Sequence, residues 1–254
     1  MSKFSRVIKH YWGIIKRVID EVDVVLEVCD ARMPKISRNR KVEEMVWKSG
    51  KKLVLVFNKT DLCDYKSRKN GEKNSVWVSC KNRMGLGRLR KILNEIKGDK
   101  SQIKIGVLGY PNTGKSSLIN SLVGRKKALT SPVAGFTKGV QWVSDGRGLF
   151  FYDTPGVIPF DEKDEVKKAL IGAVSPQDIK DIEKVAEKIV EMFLKRRKCK
   201  LENFYKISIN QETPQEILEM IGRKINYLSK GGLVDINRVC VRVVDDWQRG
   251  RLKF

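Results

Sequence analysis

The chain has 254 residues and carries 52 Lys and Arg against 30 Asp and Glu, a formal net charge of +22. Its length suits one large domain or two modest ones, no apolar run is long enough to span a bilayer, and the N-terminus has no signal-peptide pattern, so no membrane partner is expected. Cys29, Cys63, Cys80, Cys199 and Cys240 are scattered and form no CxxC pair, which argues against a zinc site or a disulfide framework and for a reducing, cytoplasmic compartment.

Residues 1–20 read as a helix with Val7, Ile8, Tyr11, Ile14, Ile15, Val18 and Ile19 on one wide apolar face. Val22 to Cys29 reads as a strand ending in Asp30-Ala31-Arg32-Met33-Pro34. A basic loop and a short helix through Trp47 follow. Lys52 to Phe57 is a nearly continuous apolar run, as expected of a parallel strand covered on both faces, and it ends in Asn58-Lys59-Thr60-Asp61. Val76-Trp77-Val78 is a further strand, ending in Ser79-Cys80-Lys81. Leu86, Leu89, Ile92, Leu93 and Ile96 mark a helix, and Ile103 to Leu108 a strand. Strands are expected at 139–143 and 149–152, with a turn at Asp145-Gly146-Arg147-Gly148. The alternation predicts an α/β fold, a doubly wound and mostly parallel sheet.

The composition shifts near Ser175. Ser175-Pro176-Gln177-Asp178 reads as the start of a helix running to about Lys195, with Ile179, Ile182, Val185, Ile189 and Phe193 inward. Thr213-Pro214-Gln215-Glu216 is a capping box for a second helix, with Ile217, Ile221, Ile225 and Leu228 inward. Gly231-Gly232 breaks the chain, and Asp235 caps a third helix carrying Ile236, Val239, Val243 and Trp247. The expectation is a nucleotide-binding domain over 1–174 and a small all-helical C-terminal domain over 175–254.

Gly109 to Ser116 matches G-x-x-x-x-G-K-[ST], the P-loop pattern, between a strand and a helix that starts near Ser117. Backbone N–H groups of such a loop cradle phosphates, and the helix N-terminus adds partial positive charge. Asn112, Thr113, Gly114, Lys115, Ser116 and Ser117 are the expected phosphate-binding residues. Lys115 would reach the β- and γ-phosphates, and the Ser116 hydroxyl would bind Mg²⁺. Asp153-x-x-Gly156 fits a second phosphate motif, with Asp153 on Mg²⁺ and the Gly156 N–H toward the γ-phosphate. Thr137 lies where a hydroxyl can join the Mg²⁺ shell when a γ-phosphate is present. Asn58-Lys59-x-Asp61 suits guanine, because a carboxylate at Asp61 can accept from N1–H and the 2-amino group, donors that adenine lacks. Ser79-Cys80-Lys81 completes the base site, with the Cys80 N–H offered to the guanine O6.

The guanine motifs precede the P-loop, the reverse of the usual order. In that order, in Asp30-Ala31-Arg32-Met33-Pro34, in Gly135-Phe136-Thr137-Lys138 with Gln141-Trp142, and in the tail Asp246-Trp247-Gln248-Arg249-Gly250-Arg251-Leu252, the chain resembles the YlqF-type circularly permuted GTPases over nearly its whole length. The resemblance implies a Mg²⁺-dependent enzyme that binds GTP and GDP, hydrolyses GTP and assists assembly of the large ribosomal subunit. It also implies a K⁺ site at Asn112, although Asn112 read alone is equally a turn residue. Val157 follows Gly156, so a water-positioning glutamine is missing from its usual place, and intrinsic turnover is expected to be slow and stimulated by K⁺ or the subunit. His10, the chain's one histidine, lacks the Pro-Gly-His context of bacterial relatives and is read as a surface residue. Two alternatives remain: a GTPase acting on another RNA such as tRNA, and a non-catalytic RNA scaffold that holds GTP.

The one-sided charge favours a polyanion. The expected rRNA contacts are Arg32, Lys35, Arg38 and Arg40, then Lys195 to Lys198 with Arg196 and Arg197, then Arg238, Arg242 and Arg249. Each cluster alone is more often a solvated face. Without an RNP-type aromatic motif, backbone and shape recognition is expected rather than base reading.

Overall fold

A computed structural model describes residues 3–63, 74–124, 142–153 and 164–254, with only the backbone at 3–11 and 153. Contacts divide the chain into two units, Met1–Asp161 and Glu162–Phe254. The helical unit therefore begins before the boundary expected near Ser175.

In the first unit the elements run α1 (Lys3–Glu21), β1 (Val24–Asp30), α2 (Arg40–Lys48), β2 (Lys52–Asn58), β3 (Ser75–Trp77), α3 (Leu86–Lys97), β4 (Ile103–Leu108), α4 (Lys115–Val123), β5 (Trp142–Ser144) and β6 (Leu149–Asp153). The six strands form one sheet in the order β3-β2-β1-β4-β6-β5, parallel except for β5, which pairs antiparallel with β6. Alternation within the strands sends side chains to two cores. Val24, Leu26 and Val28 join Leu89 and Leu93 of α3 and Leu118 and Leu122 of α4 on one face. Val25 joins Ile15, Val18 and Ile19 of α1 and Val42 and Val46 of α2 on the other. β1 leads outward to β2, whereas β4 neighbours β6 on the opposite side, so the winding reverses between β1 and β4. In a sheet of this type ligands bind outside the carboxyl ends of the strands at that point.

The second unit holds α5 (Glu165–Leu170), α6 (Ile182–Arg196), α7 (Lys198–Tyr205), α8 (Pro214–Lys224) and α9 (Ile236–Gln248). The expected helix start at Ser175 is instead a 3-10 turn over Pro176–Asp178, and α6 begins six residues after Pro176. The cap is Asp181, whose carboxylate accepts from the Lys184 N–H, a role the Ser175 side chain does not fill. The capping box at Thr213 and the Asp235 cap form as expected. Leu228 falls beyond α8 and is exposed, so the inward stripe stops at Ile221 with Ile225 half-buried. Phe193, Trp247 and Phe254 meet edge to face with centroids 5.2–6.2 Å apart. Trp247 Nε1 donates to the Leu170 carbonyl at 2.8 Å, and Gln248 Nε2 to those of Ala169 and Val174 at 2.9 and 3.0 Å. These bonds are why α5 belongs with the helical unit.

Candidate nucleotide-binding site

Four loops meet at the carboxyl edge of the sheet. The P-loop leaves β4 at Gly109, whose φ is +150°, and a Cβ there would lie 2.4 Å from the Val28 carbonyl oxygen of β1. Gly114, at φ +95°, caps α4, and a Cβ on it would lie 2.3 Å from Asn58 Nδ2. The pattern's glycines thus answer to specific neighbours as well as to left-handed backbone. Asn112 also takes the left-handed region, at φ +60°, a conformation asparagine tolerates. Thr113 is buried, its hydroxyl donating to the Tyr110 carbonyl at 2.9 Å. Lys115 Nζ donates to the carbonyls of Gly109 and Tyr110 at 3.0 and 2.8 Å, which curls the ammonium back over the loop. Ser116 and Ser117 are exposed at the first turn of α4, and Gly114 supplies no side-chain cap. An N-terminus built this way presents its N–H groups and dipole to an anion.

Asn58 joins the phosphate and base halves. It is buried, donates through Nδ2 to the Thr113 carbonyl at 3.0 Å, and accepts at Oδ1 from the Cys80 N–H at 3.2 Å. That second bond holds the Cys80 N–H, which the sequence offers to a guanine O6, against Asn58. Asp61 lies on a 3-10 turn over Thr60–Leu62. Its Oδ1 accepts from Ser79 Oγ at 2.6 Å, and that hydroxyl in turn accepts from the Asn82 N–H at 3.0 Å. Ser79 therefore fixes the orientation of the carboxylate, and Lys81 sits exposed beside it in sequence. Lys59 is in the left-handed region, and its Nζ lies 3.0 Å from Asp30 Oδ2.

Asp30 and its neighbourhood were not among the expected nucleotide residues. Arg32, expected to meet RNA, is instead buried, its guanidinium forking onto Asp30 at 3.0 and 2.8 Å. A second network runs from Glu27 on β1. Its Oε1 accepts from the Asn39 N–H at 2.5 Å, and Asn39 both caps α2 and donates to Tyr110 Oη of the P-loop at 3.4 Å. The signal for both networks was present as acidic residues in an apolar strand, which only partners can keep there.

Asp153 ends β6 in register with Val107 of β4, so the backbone places it at the same edge. Its side chain, together with Thr137, Gly156, Val157, the run 135–138, Gln141 and the side chain of His10, lies outside the described residues.

The basic candidates separate by what already holds them. Lys35, Arg40 and Arg196 are exposed and Arg197 is half-buried. Arg38 pairs with Glu43 at 2.8 and 2.6 Å, and Arg249 with Asp245 at 2.7 Å. The Arg238 guanidinium lies 4.1 Å from the centre of the Tyr227 ring, and Arg242 bonds the buried Asp246 at 2.9 Å.

A P-loop after β4, with the Asn58–Asp61 and Ser79–Lys81 loops earlier in the chain, is the motif order of a circularly permuted P-loop GTPase domain. Residues 104–224 match the family described as 50S ribosome-binding GTPase. The chain is 37% identical over 247 residues to an uncharacterized GTP-binding protein of Methanocaldococcus jannaschii, covering 95% of this chain and 65% of that one. It is 32% identical over 260 residues to nucleolar GTP-binding protein 2 of Pneumocystis carinii, covering 97% of this chain and 53% of the relative. Among solved structures it is similar to GDP-bound TM YlqF, with TM-score 0.69 and 27% identity over 94% of this chain and 96% of that one. The chain is similar in fold and motif order to the YlqF-type circularly permuted GTPases, and it spans about half to two thirds of the length of the curated relatives it matches.

Proposed function

We propose that the chain binds GTP and GDP, hydrolyses GTP slowly with Mg²⁺, and engages the large ribosomal subunit or its precursor according to the nucleotide held. The observation that carries the nucleotide half is Asn58, which bonds the P-loop and the Ser79–Lys81 loop at once. That bridge supports reading the P-loop as a phosphate cradle and Asp61 as the base-reading carboxylate of the same site. Ser116 and Asp153 offer hydroxyl and carboxylate oxygens, hard donors that suit Mg²⁺. They would hold the ion, with Thr137 joining in the triphosphate state, and the ion would neutralise charge developing on the phosphate oxygens. Lys115 would leave the Gly109 and Tyr110 carbonyls for the phosphates. Asn112 would face K⁺, whose charge would serve where Val157 cannot orient water.

The RNA half rests on the net charge of +22 and on the exposed cations Lys35, Arg40 and Arg196. The name of the nucleolar relative and the description of the matched family agree with it. Co-sedimentation with large subunits tests the whole reading. Binding should be tighter with a non-hydrolysable GTP analogue than with GDP and should weaken steeply with salt as counterions are released. Equal binding in both states, with turnover unchanged by subunits, would leave only a GTP-holding scaffold.

A further inference from the structure

We propose that Asp30 and Arg32 are positioning residues that hold Lys59 ready for the purine ring and so set how tightly guanine nucleotides are retained. The proposal rests on the nucleotide site described above and adds residues to it.

Asp30 ends β1 and is paired in register with Asn58, the last residue of β2. The strand pairing alone therefore puts its carboxylate beside the turn that carries Lys59 and Asp61. The Asp30 and Arg32 side chains are each 1% exposed. Oδ1 accepts from the Arg32 N–H and from Nε, both at 3.0 Å, and Oδ2 accepts from Nη2 at 2.8 Å. Oδ2 also takes Lys59 Nζ at 3.0 Å, and Lys59 is 21% exposed. The Arg32 fork fixes the carboxylate in two directions, so the lysine is offered a rigid acceptor rather than a swinging one.

Burial pushes the Asp30 pKa upward, but the charges of Arg32 and Lys59 and their hydrogen bonds outweigh it and hold the carboxyl well below the usual range. The anchor is thereby favoured in its ionised form. Lys59 is constrained at both ends, by its left-handed backbone at φ +67° and by its tethered ammonium. A lysine so held has lost its rotamer freedom before any ligand arrives. The ordering that a nucleotide would otherwise impose is already in place, and preorganisation of this kind raises affinity by slowing release.

The test is a double-mutant cycle on the full chain, read by fluorescent N-methylanthraniloyl-GDP binding and release. Asp30→Asn and Lys59→Met should each speed release and weaken binding about tenfold, the scale of one charge-assisted hydrogen bond. The double variant should be no worse than the worse single one. Lys59 would act on the ring face, whereas Asp61 reads the 2-amino group. The ratio of GDP to inosine diphosphate affinity should therefore stay unchanged in both variants, and a loop that had merely collapsed would lose that ratio. Should Asp30→Asn fail to fold, Lys59→Met tests the contact from its more exposed end, and Arg32→Lys tests the fork with charge retained. Lys59→Met within twofold of the wild type, or losses that multiply in the double variant, would overturn the clamp. A wild-type chain that binds no guanine nucleotide would overturn the nucleotide reading, and the clamp with it.

Discussion

Among the described residues each unit has one buried aspartate, and the two do different work. Asp30 in the sheet unit takes Arg32 and Lys59. Asp246 in the helical unit is fully buried and takes Arg242 Nε at 2.9 Å, Arg251 Nε at 2.5 Å and Tyr205 Oη at 3.0 Å. Chemically they are alike, a buried carboxylate clamped by two cations. They differ in what the cations reach. Asp246 binds α9 to the chain after it and to α7, all within one helical core. Asp30 binds one cation of its own loop and one from the Asn58–Asp61 turn that we propose reads the base. A buried ion pair is therefore no guide to function until its far partner is named.

Breaking the helical hub should have the largest effect. Asp246→Asn would remove the charge that Arg242, Arg251 and Tyr205 share, leaving Arg251 only its contact with Asp245. Removing one partner of a buried pair typically costs about 3–5 kcal/mol, but Arg242 and Arg251 are 44% and 39% exposed and can turn to water. A loss of about 2–3 kcal/mol follows, discounted for that solvation. Thermal unfolding should fall accordingly, while nucleotide affinity, which belongs to loops of the other unit, should hold. An unshifted melting temperature would remove Asp246 from the core account. Charge reversal at Arg242 would meet the same hub, so it cannot serve as a clean probe of RNA contact.

The matching break in the sheet unit is Asp61→Asn. It turns an acceptor toward the guanine 2-amino group into a partial donor. GTP affinity should drop by roughly tenfold to a hundredfold, the range for a hydrogen bond to a charged group. Affinity for xanthosine triphosphate should rise relative to it. Competition binding reads both, and unchanged GTP affinity would dismiss the Asn58–Asp61 assignment.

How much of this was legible in sequence follows from range. The P-loop, the Asn58–Asp61 turn and the strands of the sheet depend on local pattern, and periodicity or spacing reports them. The partners of Asp30 and Asp246 depend on which strands or helices lie side by side. Asp30 meets Lys59 because β1 and β2 pair in register, and Tyr205 meets Asp246 across 41 positions. The tail from Asp246 to Leu252 was readable as a signature but not as a core. Trp247 fills that core and Gln248 closes the end of α5. α5 and α7 are short, and neither carries enough apolar repeats to declare itself. The false start at Ser175 had a proline and an acid in the right places, yet the side-chain cap that decides the issue is at Asp181.

Glu27 offers a third break, read through pH, on the P-loop side of the sheet unit. Burial pushes its carboxyl up to about 8, opposed by the Asn39 N–H and aided by the Glu43 charge. The folded chain then keeps a proton that the unfolded chain gives up near the ordinary value of 4.5. Stability should fall as pH rises from there to about 8, by at most about 1.4 kcal/mol per pH unit for one group. Glu27→Gln should flatten that slope and keep the bond from Asn39. Melting curves between pH 5 and 8.5 decide it, and parallel curves for the two proteins would show that Glu27 ionises freely in the fold.

The smallest effect sharpens the contrast within the tail itself. Arg249 is 67% exposed, and its acidic partner among the described residues, Asp245, also holds Arg251. Removing Arg249 leaves Asp245 paired, so Arg249→Ala should change stability by less than about 1 kcal/mol, as exposed pairs do. Its charge is nevertheless displayed to solvent, whereas that of Arg242 is turned onto Asp246. If the tail meets RNA through backbone phosphates, Arg249→Ala should weaken subunit binding uniformly across sequences. It should also reduce the slope of log affinity against log salt by about 1, the share of one phosphate contact. A salt slope equal to the wild type's would mean that the tail signature serves only the helical core. Polyanion contact would then fall to exposed cations elsewhere, such as Lys35 before α2, Arg40 at its first position and Arg196 at the end of α6.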